Sequence, residues 1–356
     1  MAFLPLAATH YREAQSLFRR RQQLLNAPAS PRESLRQLDW RLMGNLQGAM
    51  SHCAGTVDDG MRPAALFVEC WCLLHEGNIE EVAAQLDALY PALDDAQQQA
   101  VLVAVRLAKK GCNAALAQPA LRVAMGGHAA VAQWQEEADG ADERVAAVLQ
   151  WRDAGGDSVE AFRPFYHDPD KPKAQRQALI GGLIRGDAAA FPVARDFPED
   201  PVLVLLLARQ GEVGNGALAM ALTGTAEAAE SLLTMMEQVE TAGLAAQAWF
   251  WLAGEPVPLK PRLQAVGEAA SSSETMPDAD AARQQWQTIK ARAGQSAHSV
   301  FFGMPTTASS LSRLSEQWCG QVSALIDAHR SVESGRGIAP DQGWQHHSLH
   351  GGCGHV

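Results

Sequence analysis

Apolar residues along this chain recur at steps of three and four, the spacing that keeps them on one face of an α-helix. In 34–55, SLRQLDWRLMGNLQGAMSHCAG, they fall at 35, 38, 42, 46, 49, 50 and 53. Ser30 and Pro31 ahead of this run read as an N-cap and a first-turn proline, and Gly55 as its stop. The same stepping returns near the other end at Leu311, Leu314, Trp318, Val322, Leu325, Ile326 and His329. Between these ends, several segments are apolar nearly all round and finish at glycine. They are ALFVECWCLLHEG (Gly77), AVLVAVRLAKKG (Gly111), RVAAVLQWRDAGG (Gly155, Gly156), QRQALIGGLIRG (Gly186), PVLVLLLARQG (Gly211) and GLAAQAWFWLAG (Gly254).

The stops recur about every 35 residues, at ragged intervals within the range of two-helix repeats. Amphipathic stretches such as NIEEVAAQLDALYPAL and AEAAESLLTMMEQVE alternate with the apolar ones. Stacked hairpins require that alternation, because one helix of each pair faces water while the other is sandwiched between neighbours. The pattern predicts an all-α chain built as an α-solenoid of helical hairpins over 1–252, with basic N-terminal helices at 10–55. An irregular helical bundle is the alternative. Residues 253–280, rich in Pro and Ser, read as a linker or long loop, 281–330 as a short helical C-terminal unit, and 331–356 as a flexible Gly/His-rich tail.

Composition agrees. Of 356 residues, 47% are hydrophobic, 19% are charged and 6% are aromatic, which is ample for a core. The net charge of −11 argues against a nucleic-acid-binding body. Within it, residues 1–50 hold seven arginines (12, 19, 20, 21, 32, 36, 41) against Glu13, Glu33 and Asp39, a net of +4 that leaves −15 for the rest. A cationic head on an acidic body suits a protein partner of mixed charge, and Arg19, Arg20 and Arg21 form the candidate docking patch. The plainer reading places these arginines on a solvated helix face. Pro201 to Ala208, the longest strongly apolar run, falls far short of the ~20 residues that cross a bilayer. With cysteines scattered at 53, 70, 72, 112, 319 and 353, and no basic leader at the N-terminus, the expectation is a reduced, cytoplasmic protein without membrane contact.

Candidate chemistry is sparse. His346, His347, His350, Cys353 and His355 gather imidazoles and a thiol suited to zinc, nickel or copper, on a tail with no rigid support. His167-Asp168-Pro169-Asp170 resembles half of a metal-hydrolase dyad but reads better as a turn, and Gly211, Gly214 and Gly216 lack the Lys-Ser/Thr of a phosphate cradle. Cys70 and Cys72 point to different sides of a helix, which makes them a poor metal pair. Trp249 and Trp251, either side of Phe250, either fill the space between repeats or anchor an interface. No catalytic residues, cofactor or firm metal site are expected.

The helix motif at Leu35, Leu38, Asp39, Arg41, Leu42, Leu46 and Gly48 resembles an L-x-x-L-D-x-R-L-x-x-x-L-x-G-L pattern. That pattern opens a HEAT-repeat-like family of uncharacterised proteobacterial proteins. Asn45 stands where the family has histidine, and Gly48-Ala49 where it has Gly-Leu. Gly294, Gly303 and Pro305 are similar to the G-x-R-Y-x-x-G-x-P stretch before the family's last helix, with Ser299-Val300 departing from it. The resemblance implies helical repeats without known catalytic residues and genes near type VI secretion components and their effectors. It therefore implies a non-enzymatic adaptor or chaperone-like accessory for a secreted effector. An immunity protein against a co-encoded toxin is the competing expectation, and a HEAT-like lyase or metal-dependent enzyme the third.

Overall fold

The computed structural model describes residues 4–108, 121, 159–160, 162–170, 172–211, 216–261, 275–294 and 298–334. These residues are mostly helical, as the apolar stepping predicts, and strands are short two-stranded pairs. Contacts divide the chain into two compact units. One draws on Met1–Ala154 and Gln317–Ser323, the other on Gly155–Glu316 and Ala324–Ile338. The sequence boundary at 252 therefore matches no boundary in the structure.

In the first unit, α1 (Leu4–Asn26) and α2 (Arg32–Ala49) pack as an antiparallel pair. Arg21 meets Asp39 toward one end, and His10 meets Asn45 toward the other. The buried side of α2 is Leu35, Leu38, Leu42, Leu46 and Ala49, the face read from the sequence. Its start differs from expectation: Ser30 and Pro31 form strand β1, the helix begins at Arg32, and no side chain caps it. Its end comes earlier too, passing at Ala49 into a 3₁₀ turn, Met50–His52. α3 (Pro63–Glu76) is sheathed by α1 and α5 (Asp95–Leu107), which explains why its residues are apolar on every side. Phe18 of α1 stacks on Phe67 of α3 with centroids 4.1 Å apart. The amphipathic α4 (Ile79–Leu89) is capped by Asn78, and α5 by a reciprocal Asp94–Gln97 capping box.

The second unit runs α6 (Pro172–Ile184), α7 (Ala190–Ala194), α8 (Pro201–Arg209), α9 (Ala217–Thr223), α10 (Ala226–Met236) and α11 (Ala242–Ala253). Each packs on the next, and α6 with α8 and α9 with α11 also meet across an intervening helix. Positive φ at Gly186, Gly211, Gly224 and Gly254 turns the chain after these helices, so the glycine stops are real punctuation.

The described ends of 253–280, 253–261 and 275–280, are not those of a free linker. Strands β2 (Leu259–Pro261) and β3 (Thr275–Pro277) pair antiparallel, and Asp278 N–H donates to Pro258 O at 2.8 Å. Asp278 then caps α12 (Ala279–Ala293). Nor are 281–330 a separate unit, since they are shared between the two contact units. Strands β4 (Val300–Phe301) and β5 (Met304–Pro305) form a hairpin through Phe302 and Gly303, at φ 52° and 74°. Positive φ at both turn residues matches the twist of a tight hairpin.

Apolar stepping across 311–329 suggests one helix, but the chain breaks it. α13 (Ala308–Gln317) stops, Trp318–Cys319 forms β6 against β1, Gly320 turns at φ 96°, and α14 (Gln321–Ser334) begins. The hydrogen bonds of Ser30–Pro31 to this segment outweigh helical continuity there. Among the described residues no helix is long and apolar enough to cross a membrane.

Candidate interaction surface

Helices α1 and α2 carry the features that a docking face needs. Arg19 and Arg20 are exposed on α1, and neither forms an ion pair among the described residues. Arg21 does not belong with them. It is 1% exposed, its Nε donates to Asp39 Oδ1 at 2.8 Å, and Asp39 is fully buried. The patch read from the sequence thus loses its third arginine, because one residue along a helix rotates a side chain by about 100°. In place of a surface cation, the chain has a buried ion pair holding α1 to α2.

The strongest exposed feature of these two helices escaped the sequence reading. Trp40 on α2 is 68% exposed, more than any other large apolar side chain described. It lies out of phase with Leu35, Leu38, Leu42 and Leu46, between Asp39 and Arg41. An aromatic on the polar phase of an amphipathic helix was the available signal. Arg36 and Arg41 flank it, held by Glu33 at 3.5 Å and by Glu13 at 3.1 Å. One turn on, Gly44 has nothing within 4 Å of where a Cβ would stand, so the surface beside the indole is bare. Trp and Arg are among the residue types most enriched where partners bury a contact.

Trp249 and Trp251 take the other role. They are 0% and 9% exposed, inside the second unit. Trp249 stacks edge-on to Trp286 and donates its indole N–H to Gln285 at 3.0 Å. With both rings packed inside, neither is an interface anchor. They are core.

Elsewhere the polar clusters hold the fold together. Asp187 is buried, and accepts from Arg163 at 3.0 and 3.1 Å, from the Tyr166 hydroxyl at 3.0 Å and from Ala189 N–H. The Arg163 guanidinium keeps its carboxyl below the usual range. His167-Asp168-Pro169-Asp170 is a turn, and no metal-ligating group of three assembles among the described residues. Gly211 turns the chain after α8, Gly216 opens α9, and Gly214 lies outside the described residues. So do His346, His347, His350, Cys353 and His355. Cys70 and Cys72 are both buried.

Asn45 and Gly48 of α2 both lie against His10 of α1. Asn45 Oδ1 and His10 Nδ1 are 2.9 Å apart, and a Cβ on Gly48 would stand 2.6 Å from the same imidazole. No protein-family model matches the chain, and neither a curated protein nor a solved structure matches it.

Proposed function

We propose that the chain is a non-enzymatic scaffold that grips another protein through α1 and α2, with Trp40 as the buried anchor and Arg19 and Arg20 as the cationic rim. The observation that carries this reading is the exposure of Trp40. An indole left in water forgoes the transfer free energy that a partner's surface would return, on the order of 2 kcal/mol for a large apolar side chain. The flanking arginines favour a partner segment bearing carboxylates, which would also steer its approach.

The next-but-one packing of α6 on α8 and α9 on α11 supports stacked hairpins continuing as an α-solenoid, a frame suited to presenting such a face. The family-like ends of the chain favour a type VI secretion effector as the partner, with this protein as adaptor or chaperone-like accessory. Co-expression with an effector encoded beside it tests the reading. The adaptor role predicts co-purification that Trp40→Ala abolishes, with effector solubility falling in parallel. Protection of cells from that effector, without any effect on its solubility, would assign the immunity role instead.

A further inference from the structure

The segment 255–258 that leaves α11 is held against α12 at two points. Gln285 of α12 accepts from the Trp249 indole at 3.0 Å and donates from its amide nitrogen to Pro256 O at 3.4 Å. Asp278 N–H, at the head of α12, donates to Pro258 O at 2.8 Å. Between this segment and α12 lies a cleft of about 370 Å³, within the second unit. Ala281, Gln284, Thr288 and Arg292, at helical steps of three and four, line its α12 side. Glu255 and Pro258 line the other, and the buried Ala253 and Ile289 give it an apolar floor.

The charges of this cleft are not spent on each other. Glu255 and Arg292 have opposite signs, yet neither forms an ion pair among the described residues. The Gln284 side-chain amide makes no hydrogen bond among them either. Thr288 Oγ1 donates to Gln284 O at 3.0 Å, which leaves its lone pairs to accept. An anion alone at Arg292 would meet the Glu255 carboxylate, and a cation alone would meet the guanidinium. A ligand carrying both signs satisfies both walls. The volume stands near the lower end of small-molecule sites, roughly 300–1,000 Å³, which suits one or two amino-acid residues.

We propose that this cleft binds a zwitterionic amino acid or dipeptide, with its ammonium on Glu255, its carboxylate on Arg292 and its apolar part over Ala253 and Ile289. The guanidinium fork matches a carboxylate through two parallel hydrogen bonds. Holding Pro256 and Pro258 against α12 sets the Glu255 wall before the ligand arrives, which lowers the ordering cost of binding. This inference stands apart from the docking reading, which concerns α1 and α2 of the first unit.

The test is isothermal titration calorimetry of the full-length protein with L-leucine, L-glutamine and the dipeptide Ala-Leu. N-acetyl-leucine, which lacks the ammonium, and leucinamide, which lacks the carboxylate, are titrated beside them. The expected result is a Kd of about 1 mM or tighter for at least one zwitterion, with each capped form at least about 10-fold weaker. Tighter binding of the free amino acids assigns an amino-acid site, and tighter binding of Ala-Leu a dipeptide site. Arg292→Gln and Glu255→Gln should each weaken binding about 10-fold or more. Both side chains are exposed, so the melting temperature without ligand should stay unchanged. Absence of binding by all three zwitterions at about 10 mM, equal binding of the capped forms, or affinity unchanged in both variants would each overturn the proposal.

Discussion

Arg32, the first residue of α2, donates from Nε to the carbonyl oxygen of Trp318 at 3.2 Å, across 286 residues of sequence. Around it, Ser30 pairs with Cys319 and Pro31 with Trp318, while Gln321 and Val322 donate backbone N–H groups to Ala27 and Pro28. The turn between α1 and α2 is thus clasped by Gln317–Ser323 within the first unit. Gly320 makes the clasp possible. Its φ is 96°, and a Cβ there would run into the Ala27 carbonyl. Gly320→Ala should cost about 2 kcal/mol or more, from left-handed strain plus overlap. Gly55→Ala, at φ 72° but with open space, should cost about 1 kcal/mol. Urea unfolding of the two variants checks the difference.

The Arg21–Asp39 pair makes a sharper prediction about adjacent arginines. Asp39→Ala deprives a buried guanidinium of this carboxylate and should cost roughly 3–5 kcal/mol, enough to unfold a marginal domain. Arg19→Glu with Arg20→Glu should change stability by only about 0.5 kcal/mol either way, because both side chains are exposed. Thermal denaturation distinguishes the two. A comparable loss in the surface variant would contradict the assignment of Arg19 and Arg20 to a docking face.

In the second unit, Arg209 Nη2 lies 2.7 Å from His329 Nδ1. The guanidinium can only donate, so Nδ1 accepts and the imidazole is neutral, with Phe301 against its ring at 4.9 Å. Burial and the positive Arg209 push the His329 pKa down to about 3, whereas the unfolded chain titrates near 6.5. The unfolded state therefore binds more protons across that window. Stability is fully present above pH 6.5 and falls with acidification, by up to about 1.4 kcal/mol per pH unit, until about pH 3. His329→Leu should flatten this slope in equilibrium unfolding followed from pH 7 to pH 4. An unchanged slope would place the acid sensitivity elsewhere.

The β4–β5 hairpin closes two helices at once. Phe302 and Gly303 donate N–H groups to Trp251 O and Leu252 O at the end of α11, and Val300 donates to Gly224 O just past α9. Gly224, at φ 66°, sits so close to Val300 that any Cβ would collide with its backbone. Gly224→Ala should accordingly be among the most damaging glycine substitutions in the second unit, at about 3 kcal/mol or more. Gly243→Ala, inside α11 with nothing near, should instead stabilise by about 0.5–1 kcal/mol. Differential scanning calorimetry of both variants would show melting shifts of opposite sign.

Much of this architecture was legible because helix formation here is dictated by local spacing. The apolar face Leu35–Leu38–Leu42–Leu46 and the stops at Gly77, Gly186 and Gly254 needed only periodicity and backbone freedom. What escaped reading depends on partners distant in sequence. Apolar stepping continues through Trp318 and Val322, so nothing local announces that Ser30 and Pro31 pull the chain out of the helix between them. The pairing of Pro261 with Thr275 likewise turns a Pro- and Ser-rich stretch into part of the second unit. Arginine side chains show the same limit. Arg19, Arg20 and Arg21 are identical as letters, and only the placement of Asp39 on the facing helix buries the third. Trp40 was readable in principle, as an indole on the wrong phase of its helix, whereas Trp249 and Trp251 are hidden by packing that periodicity already favoured.

Isothermal titration calorimetry of the purified protein against the secreted effector proposed as its partner, comparing wild type with Trp40→Ala, tests the account most directly. The account predicts a loss of affinity of about 30-fold or more, about 2 kcal/mol, while the melting temperature of the free protein stays within a degree or so. Equal affinity in the two proteins would contradict it.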